Sequence, residues 1–289
     1  MVKKECSPDV KQQGSCISRK TMERIADILN KRPQCKRINK NCKTETLSQK
    51  IQSEVKELSD CDKESCWFRV KEIKEHLKPH EWNELVSNFR PEKPEKWKYD
   101  KNTWLNTTNI DEVMRQYERA YPEFQYLGAL PIDFGEKTPR GTCSVSSVCN
   151  LNLQTMINNG KKSFGIVFNV DPHDKPGQHW YSMFVDLVGK NLKRKPFIYY
   201  FDSIKSQIQD EVYTFIQNIQ SEFQELYPKK TLGFTYNDLQ HQFGDTECGI
   251  YCIHFLTEML KGVSFREYVD RQLSDKQMEE FRDVFFIEK

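Results

Sequence analysis

The 289-residue chain has no run of about 18 apolar residues, the length a membrane-spanning helix needs, so no span is predicted. Its first residues, Met1-Val-Lys-Lys-Glu-Cys6, lack the apolar core of a signal peptide, which predicts a reducing, intracellular setting. No internal repeat and no long low-complexity tract is present. Metal-ligand spacing is also wanting. Cys35-x6-Cys42 and Cys61-x4-Cys66 are looser than the usual zinc pairs, and no clear His pair follows them. Asp171, His173 and Asp174 read as a solvated turn, so neither a metal nor a cofactor is assigned. Asn106-Thr-Thr108 fits a glycosylation sequon that a cytosolic setting makes irrelevant.

Cysteine, by contrast, is plentiful. Ten are present, and in a reducing setting they are expected to be thiols: packing residues, ligands or one reactive nucleophile. The net charge of +2 hides an uneven distribution. Residues 1–100 hold 23 Lys or Arg against 17 Asp or Glu, a net of +6, which leaves −4 for the rest. Lys31 to Lys43 carries six basic residues and no acid, a stretch suited to nucleic acid or an acidic partner, or else a solvated, partly flexible loop.

Two halves separate at Phe89-Arg-Pro-Glu-Lys-Pro-Glu-Lys96, where two prolines among charges disfavour regular structure. Before this linker, helical periodicity over Thr21–Leu29 and Leu47–Leu58 predicts a helical, basic arm domain spanning 1–95. Beyond it, residues 96–289 read as a mixed domain. Asn109 with Glu112 fits a capping box, followed by an apolar stripe of Ile110, Val113, Met114 and Tyr117. Strands are predicted at Ser163–Val170, Trp180–Leu187 and Phe197–Phe201, the last two pairing as a hairpin. An amphipathic helix runs through Ile208, Val212, Phe215, Ile216, Ile219, Phe223 and Leu226, and a short strand covers Leu232–Tyr236.

The segment Gln240 to Gly262 concentrates the chemistry. From Cys248, the spacing of Tyr251, Cys252, Phe255, Leu256, Met259 and Leu260 describes a helix packed along one side and ended by Gly262. Cys248 thus stands at a helix N-terminus, where unpaired amides favour the thiolate that attacks carbonyls. Gly249 removes a side chain beside it, leaving room for a substrate backbone. Cys252, one turn on, is read as core. Cys143 and Cys149 receive no task. His179 opens an aromatic strand and is the candidate base. Asp202 ends the next strand, so a hairpin brings both to one end, as a base and its orienting carboxylate require. Gln242, on the loop entering the helix, is placed to donate to an oxyanion beside the Cys248 amide.

At these residues the sequence resembles the SUMO protease and adenovirus protease group of cysteine peptidases. The matching pieces are Gln178-His-Trp-Tyr-Ser-Met-Phe-Val-Asp186, Tyr200-Phe-Asp-Ser203, Gln242-x5-Cys248-Gly-Ile-Tyr-Cys252 and Trp104-Leu-Asn-Thr-Thr-Asn-Ile110. Within that group it is similar to the polyprotein-processing proteases of the African swine fever virus type. Asp245-Thr-Glu-Cys-Gly249, Leu260 to Phe265 and Asp275 to Arg282 carry that likeness, with further pieces in the arm. The resemblance implies an α+β, papain-like fold and a catalytic set of Cys248 as nucleophile, His179 as base, Asp202 as orienter and Gln242 as oxyanion donor. It also implies that Trp104 and Trp180 wall a cleft that admits only glycines, because flat indoles reject any Cβ. The implied activity is thiol endopeptidase cleavage after Gly-Gly (Gly-Gly-Xaa) in viral structural polyproteins, in the host cytoplasm and the virion. A deconjugase for SUMO- or ubiquitin-like modifiers and an inactive binding module of the same fold are the other readings.

Overall fold

The computed structural model describes residues 5–11, 14–136, 144–190 and 195–288, and the chain divides into two compact units, Met1–Arg90 and Pro91–Lys289. In the first, Ser18 caps α1 (Arg19–Leu29) by accepting a hydrogen bond from the Thr21 amide. Met22, Ile25, Ala26 and Leu29 lie buried in α1, and Leu47, Ile51 and Val55 in α2 (Thr44–Ser59), which packs against it. Two short helices that sequence periodicity did not resolve, α3 (Lys71–His76) and α4 (Pro79–Ser87), follow.

The basic stretch is a loop that side chains bind to the rest of the unit. Arg19 donates to the carbonyls of Lys40 and Cys42 at 2.9 Å each, and Lys40 pairs with Asp27 at 2.6 Å. The Asn30 side chain bonds Ile38 in both directions. The thiol expectation also fails for four cysteines of this unit. Cys6 bonds Cys16, and Cys61 bonds Cys66. Cys149, in the second unit, is likewise held in a disulfide, whereas Cys143 lies outside the described residues. Sequence spacing carries no information about such approaches, which are set by the turns that bring the Cα atoms within 5.1 and 6.2 Å in the arm pairs. The described free cysteines are Cys35, Cys42, Cys248 and Cys252.

The second unit opens with α5 (Thr107–Ala120). Its cap is Asn106, whose side chain accepts from the Asn109 amide at 2.9 Å while Asn109 accepts from the Asn106 amide at 3.2 Å. The helix therefore starts one turn before the expected Asn109–Glu112 box, because an amide pair closes the reciprocal bonds as well as a Ser–Glu pair does. Strand β1 (Phe124–Leu130), two short helices α6 (Ser146–Cys149) and α7 (Leu153–Asn158), and strands β2 (Ser163–Asn169), β3 (Trp180–Asp186) and β4 (Phe197–Phe201) come next. Helix α8 (Asp210–Leu226), strand β5 (Gly233–Tyr236), and helices α9 (Cys248–Lys261), α10 (Phe265–Asp270) and α11 (Asp275–Phe285) complete it.

The strands form one sheet in the order β1-β2-β3-β4-β5, with antiparallel pairs at β2–β3 and β3–β4 and parallel pairs at its edges. Alternating side chains feed two cores. Trp180 and Phe184 of β3 and Tyr199 and Phe201 of β4 face the core that holds α9, while Tyr181, Met183, Val185, Ile198 and Tyr200 face the core that holds α8. A sheet buried on both faces explains the unbroken apolar runs that mark these strands in the sequence. Helix α9 is buried at every residue from Cys248 to Leu260, not along one side as its spacing implied, because the sheet covers one flank and α5, α10 and α11 the others. No described helix is long and apolar enough to cross a membrane.

Candidate active site

Ser182 of β3 pairs with Phe201 of β4, so the residues that flank these strand ends, His179 and Asp202, meet at one end of the two central strands. There Nε2 of His179 donates to Oδ1 of Asp202 at 2.6 Å. Asp202 is fully buried and its remaining lone pairs are met locally. The Ile204 amide donates to Oδ1 at 3.1 Å, the Ser206 amide to Oδ2 at 2.9 Å, and the Ser206 hydroxyl also donates to Oδ2. Burial opposes the charged carboxylate, but these bonds and the imidazole hold its pKa below the usual value. Its backbone is clasped as well: Asn237, just past β5, accepts the Asp202 amide at 2.9 Å and donates to the Asp202 carbonyl at 2.7 Å. A third bond, to Leu239 at 2.9 Å, fixes that amide.

Cys248 begins α9 and is only 2% exposed. Cys248 lies close enough to His179 to act on its pKa in the same sense as Asp202. Burial drives the imidazole pKa down, yet these two partners overcome it and lift it to about 9. The geometry therefore favours the imidazolium, the counter-ion that a thiolate nucleophile needs. Helix α9 has no side-chain cap, since Glu247 at the cap position turns its carboxylate to Arg282.

Gln242 is buried beside this pair and its amide is oriented from two sides. Its Oε1 accepts from the Ser203 hydroxyl at 2.7 Å, and its Nε2 donates to the Gly244 carbonyl at 2.9 Å, which occupies one of two N–H groups. Ser203 also accepts the His241 and Gln242 amides at 2.9 Å each, binding the Asp202 turn to the Gln242 loop. Asp275 fixes the far side of that loop by accepting the Phe243 and Gly244 amides at 2.9 and 2.8 Å.

The expected walls are arranged unequally. Trp104 is 41% exposed, whereas Trp180 is 8% exposed and donates its indole N–H to the Leu105 carbonyl at 2.9 Å. Gly249 does not leave open room for a substrate. A Cβ there would come within 3.0 Å of the Leu105 Cβ, so its bareness serves the packing of the Trp104 segment on α9. Cys252 is buried in the core, as read, and burial lifts its thiol pKa. His173 and Asp174 lie exposed in a turn, where His173 pairs with Asp133, and no group of three or more metal-binding side chains is found among the described residues.

Sequence reasoning missed Asn237, Ser203 and Ser206, whose side chains look like ordinary turn residues. It also missed the buried pair of Glu247 and Arg282, joined at 2.8 and 2.9 Å. A signal for that pair exists, since Met278, Arg282 and Phe285 sit at i, i+4 and i+7, placing a charge on the buried stripe of α11.

A thiol on a buried helix, a histidine beside it and a carboxylate behind the histidine, set on an α/β sandwich, define a papain-like cysteine protease. Residues 165–289 match the Ulp1 protease family, C-terminal catalytic domain. A thiol protease of Acanthamoeba polyphaga mimivirus is 33% identical over 208 residues, covering 70% of this chain and 61% of that protein; the match thus spans less than two thirds of its length. A cysteine protease of African swine fever virus is 25% identical over 98% of this chain and 94% of its own, and another isolate's relative, 26% identical over the same shares, is named a SUMO-1 cysteine protease. The crystal structure of the African swine fever virus protease superposes with a TM-score of 0.73 at 19% identity, covering 99% of this chain and 96% of that one.

Proposed function

We propose that the protein is a thiol endopeptidase that cleaves after Gly-Gly in viral structural polyproteins during virion core maturation. The observation that carries the chemistry is the His179–Asp202 bond, with Cys248 near enough to act on the same ring. In the proposed reaction the Cys248 thiolate attacks the carbonyl carbon and the oxygen takes up the charge. The free N–H of Gln242 and the Cys248 amide hold that oxyanion. His179 then gives its proton to the departing amine, leaving an acyl-enzyme. Water, deprotonated by His179, attacks the acyl-enzyme, which releases the product acid and restores the Cys248 thiolate beside the imidazolium.

Selection of glycine follows in this reading from a cleft bounded by Trp104 and by Trp180 beside the histidine, where a Cβ meets an indole face. The host cytoplasm and the virion are the proposed places of action. Deconjugation of SUMO-like modifiers is the second reading, favoured by the SUMO-1 cysteine protease name of a swine fever virus relative. The test is cleavage of a Gly-Gly-Ala peptide against SUMO and ubiquitin C-terminal fusions, with Cys248→Ala as control. Peptide cleavage lost in the control supports the proposal. Preference for the fusions reverses the ranking, and cleavage retained by Cys248→Ala overturns the nucleophile.

A further inference from the structure

Arg282 of α11 is only 3% exposed, so it touches no substrate, yet its guanidinium is occupied on every edge. Nε and Nη2 donate to the Glu247 carboxylate at 2.9 and 2.8 Å, and Nη2 also reaches the Thr246 carbonyl at 3.1 Å. Nη1 donates to the Thr103 carbonyl at 3.0 Å, and the guanidinium carbon lies 4.4 Å from the centre of the Trp97 ring. Glu247, 4% exposed, immediately precedes Cys248, and Thr103 immediately precedes Trp104. One planar cation therefore grips two backbone segments, each a single residue short of a group the reaction uses.

We propose that Arg282 is a positioning residue that sets the spacing between the Trp104 wall and the Cys248 sulfur, and through it the selection of glycine. This rests on the glycine-selective reading above. A buried ion pair is a poor source of net stability, because desolvating two charges offsets most of their attraction. What the guanidinium supplies instead is fixed angles: its N–H groups diverge in one plane, so two carbonyls and a carboxylate bound to it keep a set separation. The same segment is pinned further along, where Leu105 packs on Gly249 and accepts the Trp180 indole N–H. The tolerance involved is small. A cleft that excludes a Cβ is narrower by about one bond, roughly 1.5 Å, than one that admits it. Lysine at 282 keeps the charge but can satisfy the carboxylate or the Thr103 carbonyl, not both in the same plane.

The test compares wild type with Arg282→Lys in three measurements: cleavage of a Gly-Gly-Ala peptide, cleavage of the matching Gly-Ala-Ala peptide, and alkylation of Cys248 by iodoacetamide. The small reagent needs the sulfur but not the wall. We expect alkylation within about twofold of wild type, Gly-Gly cleavage slowed by about 10–100-fold, and the Gly-Gly over Gly-Ala preference narrowed by about 10-fold. An unchanged preference, or alkylation that falls in step with cleavage, overturns the inference. If the lysine variant does not fold, Glu247→Gln, which keeps one acceptor but frees part of the fork, is read by the same three measurements and criteria. A wild-type enzyme that shows no preference for glycine instead overturns the reading of the substrate, before any variant is compared.

Discussion

Nε2 of His179 stands 2.6 Å from Oδ1 of Asp202, and Nδ1 is the ring nitrogen that this carboxylate does not engage. The ring's orientation and its charge thus have a common origin. Asp202→Ala removes both, and kcat/KM is expected to fall by about 10²–10⁴-fold. The sign of the accompanying pH change follows from the causes of the shift. With Asp202 gone, burial acts with less opposition, so the imidazolium is lost at lower pH than in the parent, where it persists to about 9. A kcat/KM profile whose alkaline limb stays in place in the variant would contradict this account.

Ser203 touches no reacting atom, yet it holds Oε1 of Gln242 at 2.7 Å. Ser203→Ala leaves the amide held only by its bond to Gly244 and leaves a buried acceptor unmet. Turnover is expected to drop by about 10-fold, against about 10²–10³-fold for Gln242→Ala, which removes the donor itself. Measuring kcat for both variants on one peptide decides the order; equal losses would mean that Gln242 needs no orienter.

Acid stability is expected to hinge on His254, buried inside α9 against Tyr268 and Phe281. Burial lowers its pKa from 6.5 to about 4, with Glu258 acting in the opposite sense. Because the folded value lies below the unfolded one, the unfolded chain takes up the proton first, and stability is lost as pH falls from 6.5 towards 4. The loss approaches about 3 kcal/mol once both states are protonated. Urea unfolding at pH 7 and pH 4 for the parent and for His254→Gln isolates this contribution, which is absent in the variant if the assignment is right.

Gly249→Ala places a methyl 3.0 Å from Leu105. Relief requires the segment ahead of α5 to move away from α9. We expect a loss of about 1–3 kcal/mol in unfolding free energy, together with slower cleavage. A variant as stable and as active as the parent would show that the contact relaxes freely.

Strands β2, β3 and β4 are legible in the sequence because burial on both faces leaves continuous runs of Val, Ile, Phe and Tyr. Strand β1 is not: Gly128, at φ +127, and a break in register between Tyr126 and Ala129 interrupt its pattern. The order and element boundaries of His179, Asp202, Gln242 and Cys248 are visible along the chain, since each sits where a strand or helix begins or ends. What surrounds them is not visible. Asn237 is 35 residues from Asp202, and Arg282 is 35 residues from Glu247, and no local rule joins residues so far apart. Gly249 illustrates a different gap: local reasoning finds that space is needed beside the cysteine but cannot tell whether a ligand or Leu105 occupies it.

The clasp of Asn237 on Asp202 repeats, with a side chain, what a neighbouring strand does with its backbone: one acceptor for the amide, one donor for the carbonyl. Beyond Tyr236, where β5 stops pairing with β4, a carboxamide thus stands in for the next rung of the ladder. The sheet is in effect extended to the residue that orients the base, while the chain itself is already released to form the Gln242 loop. An asparagine lets one edge be rigid for the acid and free for the oxyanion donor within six residues.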